Sequence, residues 1–182
     1  FLCGYFFVTS GGVVYANALP LYAKDIIGLD PAQWGTAIAA ALGSMLLSFW
    51  FWGRFMDRFG APLTMILTWG AMGLMMGAMF LVRHWWVFLG VVTVRGLFMA
   101  GNVIAFFPIV MHFTESHETM RGMGLHSSFW GLRWLLMPGL VMLVVDAGLF
   151  EMRYLFLLSL GLVAGGLTIM TRVWWADRRA EA

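Results

Sequence analysis

Charge is scarce in this sequence. Lys, Arg, Asp and Glu make up 11% of 182 residues, and the net charge is only +2. A balance so small, with basic residues scattered along the chain, excludes a nucleic-acid partner. Cysteine is nearly absent: Cys3 stands alone, which excludes an internal disulfide framework and a Cys-based metal site. No paired carboxylates, nucleophile–histidine arrangement or phosphate loop is present, so an enzyme is not expected. The first twenty residues lack a basic n-region and a small-residue cleavage site, so they do not read as a signal peptide. The sequence opens on Phe1 rather than Met, as expected of a piece of something longer.

What the chain has in abundance is apolar surface. Hydrophobic residues are 62% of it and the mean hydropathy is +0.85. Globular proteins average about 45–50% apolar, and a soluble domain of this length could not hide the excess. Apolar runs near the ~20 residues of a bilayer-spanning helix recur along the chain. The expectation is an all-α integral membrane protein with six transmembrane helices, over about 1–27, 32–52, 63–82, 85–111, 122–145 and 152–174.

The links are short, so neighbouring spans run antiparallel. In LDPAQ, Asp30 is a candidate N-cap with Pro31 at the first helical position and Gln33 at the third. Pro62 similarly opens the third span. Arg54, Arg58, Arg121, Arg172, Arg178 and Arg179 fall on one side of the membrane, against Lys24, Arg83 and Arg153 on the other. The positive-inside rule then puts both ends of the segment in the cytoplasm. Trp85, Trp86, Trp174 and Trp175 sit at span ends, as an aromatic belt requires. Gly73 with Gly77, and Gly161 with Gly165, are spaced to share a helix face and allow close packing.

One stretch breaks the shortage of charge. FWFWGRFMDRFGAP, residues 49–62, crowds Arg54, Asp57 and Arg58 between two apolar runs. Gly53 and Gly60 would let the backbone turn tightly there. Asp57 can accept from Arg54 or Arg58, or face a neighbouring helix N-terminus. Such a cluster would act as a latch that forms in one conformation and breaks in another.

Within it, G-R-F-M-D-R-F-G resembles the G-x-x-x-D-R-x-G signature of the major facilitator superfamily (MFS), found between the second and third helices of each six-helix half. NALPLYAKDIIGLDPAQWG (17–35) is similar to the end of the family's first helix and its link. VRGLFMAGN (94–102) looks like the fourth-helix pattern, and FEMRYLFLL (150–158) the start of the sixth. GLRWLLMPGL (131–140) departs: Pro138-Gly139 replaces a Gly-Pro pair, and Arg133 and Trp134 stand where small residues are usual. That weakens any assignment to the drug–proton antiporter branch. The resemblance implies one half of a transporter, with a second six-helix half, membrane lipid and a small-molecule substrate as partners. The start without Met and the polar ending ADRRAEA favour the C-terminal half; an N-terminal half cut at its central loop would look similar. The implied location is a bacterial cytoplasmic (inner) membrane.

Two arginines lie deep in their spans, Arg95 roughly 14 Å from the outer edge and Arg133 roughly 17 Å from the inner edge at 1.5 Å per residue, so both approach the midplane of a core of about 30 Å. A mid-span arginine costs about 2.5–3.5 kcal/mol on insertion scales and seldom faces lipid. Arg95 shares a face with Met99, Asn102 and Phe106, and Arg133 with His126, Trp130 and Met137. Arg95, Asn102, His126, Trp130, Arg133 and Asn17 are the substrate-pathway candidates; each arginine could bind an anionic group or serve as a structural cation paired with a carbonyl or an acid elsewhere. His126, a few residues into its span, suits an interfacial hydrogen bond, or a proton-coupling role in place of a mid-span acid. Asp146 lies near a span end, and Glu115 and Glu118 in a loop.

The 15 methionines open a second reading. Met72, Met75, Met76 and Met79 form a broad face of span three, and thioethers suit Cu(I). They are also flexible apolar filler. A transition-metal transporter of the same fold requires that face to point into the cavity. Haem needs paired histidines inside the bilayer, and His84, His112 and His117 fall at span ends. No cofactor is expected. A non-transporting assembly or sensor protein is the remaining alternative, and intact latch residues argue against it.

Overall fold

The computed structural model describes residues 2–114, 117–147 and 151–181; Phe1, Glu115 and Phe150, named above, lie outside them. Among the described residues the regular structure is entirely helical: α1 Leu2–Asp25, α2 Pro31–Phe59, α3 Ala61–Ala78, α4 Trp85–His112, α5 Thr119–Asp146 and α6 Tyr154–Glu181, with a 3-10 turn Met79–Leu81 closing α3. α2, α3 with its turn, α4, α5 and α6 are long and apolar enough to cross a membrane.

α1 is the sixth helix, and it is set apart from those five. It carries Thr9, Ser10 and Asn17, and it is the most enclosed, with Val8, Val14, Tyr15 and Ala18 all buried. A helix wrapped by protein need not be apolar all round, because its hydroxyls can be satisfied internally. Thr9 and Ser10 each donate to a carbonyl one turn back, of Tyr5 and Phe6.

The starts and stops follow local chemistry. Asp30 accepts from the Gln33 N–H at 2.8 Å while the Gln33 side chain accepts from the Asp30 N–H at 3.1 Å, a complete capping box before Pro31. α2 then runs seven residues beyond the expected end at Trp52, so the charged octapeptide forms its last two turns instead of a loop. Gly53 is helical, and the chain turns only at Gly60, whose φ of 83° suits glycine. α6 likewise continues past Trp174 and Trp175, placing them inside the helix.

The most extensive pairings survive exchanging the first three helices for the last three. α1 on α6 corresponds to α4 on α3, α2 on α4 to α5 on α1, and α3 on α6 to itself. The fit is uneven, however: α2 lies along α4 closely, whereas α5 touches α1 and α4 more sparsely. On the α2–α4 seam, Ser44 donates to the Thr93 carbonyl at 2.8 Å. One turn on, Ser48 and Trp52 both donate to the Leu97 carbonyl at 2.9 and 2.8 Å. Backbones approach so closely there that a Cβ on Gly96 would sit 2.3 Å from the Ala41 oxygen. On the α1–α6 seam, a Cβ on Gly166 would meet the Gly4 oxygen at 2.5 Å. Of the paired glycines, Gly73 and Gly77 do pack, against Val163 and Leu160; Gly161 and Gly165 meet nothing within 4 Å.

Candidate functional site

α1, α3, α4 and α5 surround a cavity of about 320 Å³, at the lower end of the ~300–1,000 Å³ of small-molecule sites. Arg95, Met99, Asn102 and Phe106 all line it, as the helical stripe on α4 requires. Trp130 and Trp134 face them from α5, with Trp69 and Met72 from α3 and Tyr5 and Thr9 from α1. Pro20 cannot donate to Ala16, four residues back, so that carbonyl on the cavity wall lacks its ordinary helical donor.

The wall holds hydrogen-bonding capacity that the protein does not use. Arg95 Nε, Asn102 Oδ1 and Trp69 Nε1 are buried without a hydrogen-bond partner. The Arg95 guanidinium lies 4.6 Å from the Tyr15 ring centre, a cation–π contact that holds it without neutralising it. Among the described residues the ion pairs are His112–Asp177, Arg121–Glu118 and Arg153–Glu151, so no carboxylate offsets Arg95. An unmatched donor or acceptor in such a place costs about 1–3 kcal/mol. One fixed positive charge, two further polar groups and aromatic walls suit a small solute with an anionic group and an apolar body.

His126 and Arg133 lie behind this wall. They are 1% and 0% exposed, and both pack towards α1. The expected hydrogen bond of His126 is therefore corrected: neither ring nitrogen has a partner, and the imidazole lies 4.5 Å from the Tyr5 ring, tilted, and 4.5 Å from the Phe106 ring, edge to face. Arg133 sits 5.3 and 5.6 Å from the Tyr5 and Phe6 ring centres. The expected stripe of Arg133 with Trp130 divides, because Trp130 faces the cavity and Arg133 does not line it.

Asn17 is also off the cavity; its amide donates to the Val13 carbonyl at 2.8 Å. Of the span-three methionines only Met72 lines the cavity, while Met76 and Met79 belong to the buried core. No cluster of His, Cys, Asp or Glu able to hold a metal occurs among the described residues. In the charged octapeptide, Arg54 lies 4.0 Å from the Trp50 ring centre and Arg58 5.3 Å from that of Phe59. Neither pairs with Asp57 in this conformation; both extend over aromatic neighbours on the same exposed helix end. A separate hollow of about 550 Å³ near Tyr22 contains the Arg153–Glu151 pair, which already matches much of its charge.

Sequence reasoning missed Tyr5 and Trp69 as cavity residues, and placed Met72 there only under the metal reading. Trp69 and Met72 lie three apart on one face of α3, a signal that could have been read. Tyr5 gave none, since its neighbours come from α4 and α5, more than a hundred residues away.

Compared with known protein families, the whole chain, residues 1–182, matches the Major Facilitator Superfamily. No curated protein matches it.

Proposed function

Because the chain belongs to the major facilitator superfamily, we propose that it is one six-helix half of a secondary-active transporter that moves a small organic anion by alternating access. The second half would complete the site, with the substrate held between the two near the bilayer midplane. The positive-inside balance of its arginines supports a bacterial inner-membrane placement with both ends of the segment cytoplasmic. One observation carries the choice of substrate: Arg95 lines the cavity with no carboxylate to offset it among the described residues.

Uptake by the full-length protein in proteoliposomes tests this, with benzoate, succinate and inorganic phosphate as probes. Saturable uptake of at least one anion is expected, falling about tenfold or more in Arg95→Gln, the effect of losing one charge-assisted contact. Wild-type uptake in that variant would remove Arg95 from the site.

Met72 and Met99 in the same wall support a second reading, transport of a soft metal ion. Cu(I) uptake that is lost in the Met72→Leu, Met99→Leu double variant and indifferent to Arg95 would establish it. A non-transporting assembly or sensor role predicts no uptake of any probe.

A further inference from the structure

Two tryptophans of the cavity wall are left uncovered. Trp130 and Trp134 lie one turn apart on α5, are 47% and 43% exposed, and hold their ring centres 5.9 Å from each other. Tyr5 and Trp69, in the same wall, are buried. Two open indoles side by side form a platform without a guest. Aromatic pairs favour offset or edge-to-face contact with ring centres about 4.5–7 Å apart. A planar ring therefore suits this platform better than a saturated ring of the same size.

Charge narrows the guest further. Arg95 is the one charged residue among those lining the cavity. One fixed positive charge matches one negative charge. A second, as on succinate or on phosphate near neutral pH, would lie against apolar rings with nothing in this wall to offset it.

Asn102 supplies a third point. It follows Arg95 by seven residues on the same face of α4, about 10 Å along the helix. Its Oδ1 is buried without a hydrogen-bond partner, and its neighbours in the wall include Met99 and Phe106. A primary amide offers both donors and an acceptor, and a hydroxyl can give one hydrogen bond and take another. The two therefore match in either orientation of the amide. A ligand that engages Arg95 and Asn102 together must carry its anionic and hydroxyl groups at opposite ends.

We propose that the substrate is a planar aromatic monocarboxylate with a hydroxyl across the ring from the carboxylate, and that Trp130, Trp134 and Asn102 set this specificity. The carboxylate sits on Arg95, the ring lies on the indole pair, and the hydroxyl meets Asn102. This rests on the anion reading above and narrows it to one chemical class. All of these groups line the one cavity, which the second half would close, so nothing has to cross the interior of this half.

The test is competition against labelled benzoate uptake by the full-length protein in proteoliposomes. In the wild type, 4-hydroxybenzoate is expected to compete about tenfold better than unlabelled benzoate or 2-hydroxybenzoate. Cyclohexanecarboxylate should compete about three- to tenfold worse than benzoate, and succinate worse still. Asn102→Leu is expected to bring the tenfold advantage of the 4-hydroxyl group close to unity. The Trp130→Leu, Trp134→Leu double variant should bring benzoate and cyclohexanecarboxylate together. These are ratios between ligands within one variant, so a purely structural effect, which scales every rate alike, leaves them unchanged. Should either variant fail to fold, Asn102→Ala or Trp134→Leu alone takes its place and is expected to narrow the same ratio. A wild type that ranks the competitors equally, or variants that keep its ratios, overturn the proposal and leave the anion reading standing. Transport of succinate or phosphate without benzoate does the same. A wild type that transports none of the anions overturns both.

Discussion

Two glycines show how unequally one residue type is used. Gly96 lies where α2 and α4 touch, and a Cβ there would be 2.3 Å from both the Ala41 oxygen and the Ser44 hydroxyl. Gly96→Ala therefore has to push apart the seam in which Ser44 and Ser48 bond across to α4. The expected cost is about 1–3 kcal/mol, the range for overpacking, read as a lower unfolding midpoint in detergent. Gly53, part of the family signature, meets nothing within 4 Å. Gly53→Ala should leave that midpoint unchanged or raise it slightly, since alanine is the better helix former. A transport defect in that variant would locate the need for glycine in another conformation of the cycle. Residue identity was legible for Arg95, Asn102 and Trp130, because a helical stripe is a matter of spacing. It was not for Arg133, because spacing places a side chain on a face without telling what covers that face.

At the scale of elements, short links, capping residues and apolar runs placed all six helices. Their ends were less legible. α2 was expected to stop where charge begins, yet Arg54 and Arg58 are good helix formers with long stems that lie along Trp50 and Phe59. Charge marks where a span leaves the hydrocarbon, and the helix ends only at Gly60. The charged octapeptide consequently belongs to a helix end, with Asp57 exposed and paired with neither arginine. If Asp57 finds its partner in another state of the cycle, Asp57→Asn should slow uptake several-fold while leaving expression and thermal midpoint at wild-type levels. Unchanged uptake would deny the acid any part in the cycle.

Across the whole molecule, the exchange of three helices for three is clear in the pairings, but its two halves are not equally tight. α2 is bonded to α4 by Ser44, Ser48 and Trp52, while α5 leaves Leu135, Leu140 and Leu143 on an exposed face. No sequence pattern announced this, because an apolar helix reads the same whether lipid or protein covers it. Hydrogen–deuterium exchange on the full-length protein should find the amides of α5 less protected than those of α3; equal protection would mean that α5 is held as firmly as the rest. Pro138 gives that looseness a direction. The carbonyl of Trp134, four residues before it, has no N–H to meet, so the helix behaves there like a beam already notched. From Pro138 back to His126 is twelve residues, a lever of about 18 Å. A tilt of about 10° at the notch would swing the far end by roughly 3 Å, which is comparable to the 4.5 Å that separates His126 from its two aromatic neighbours.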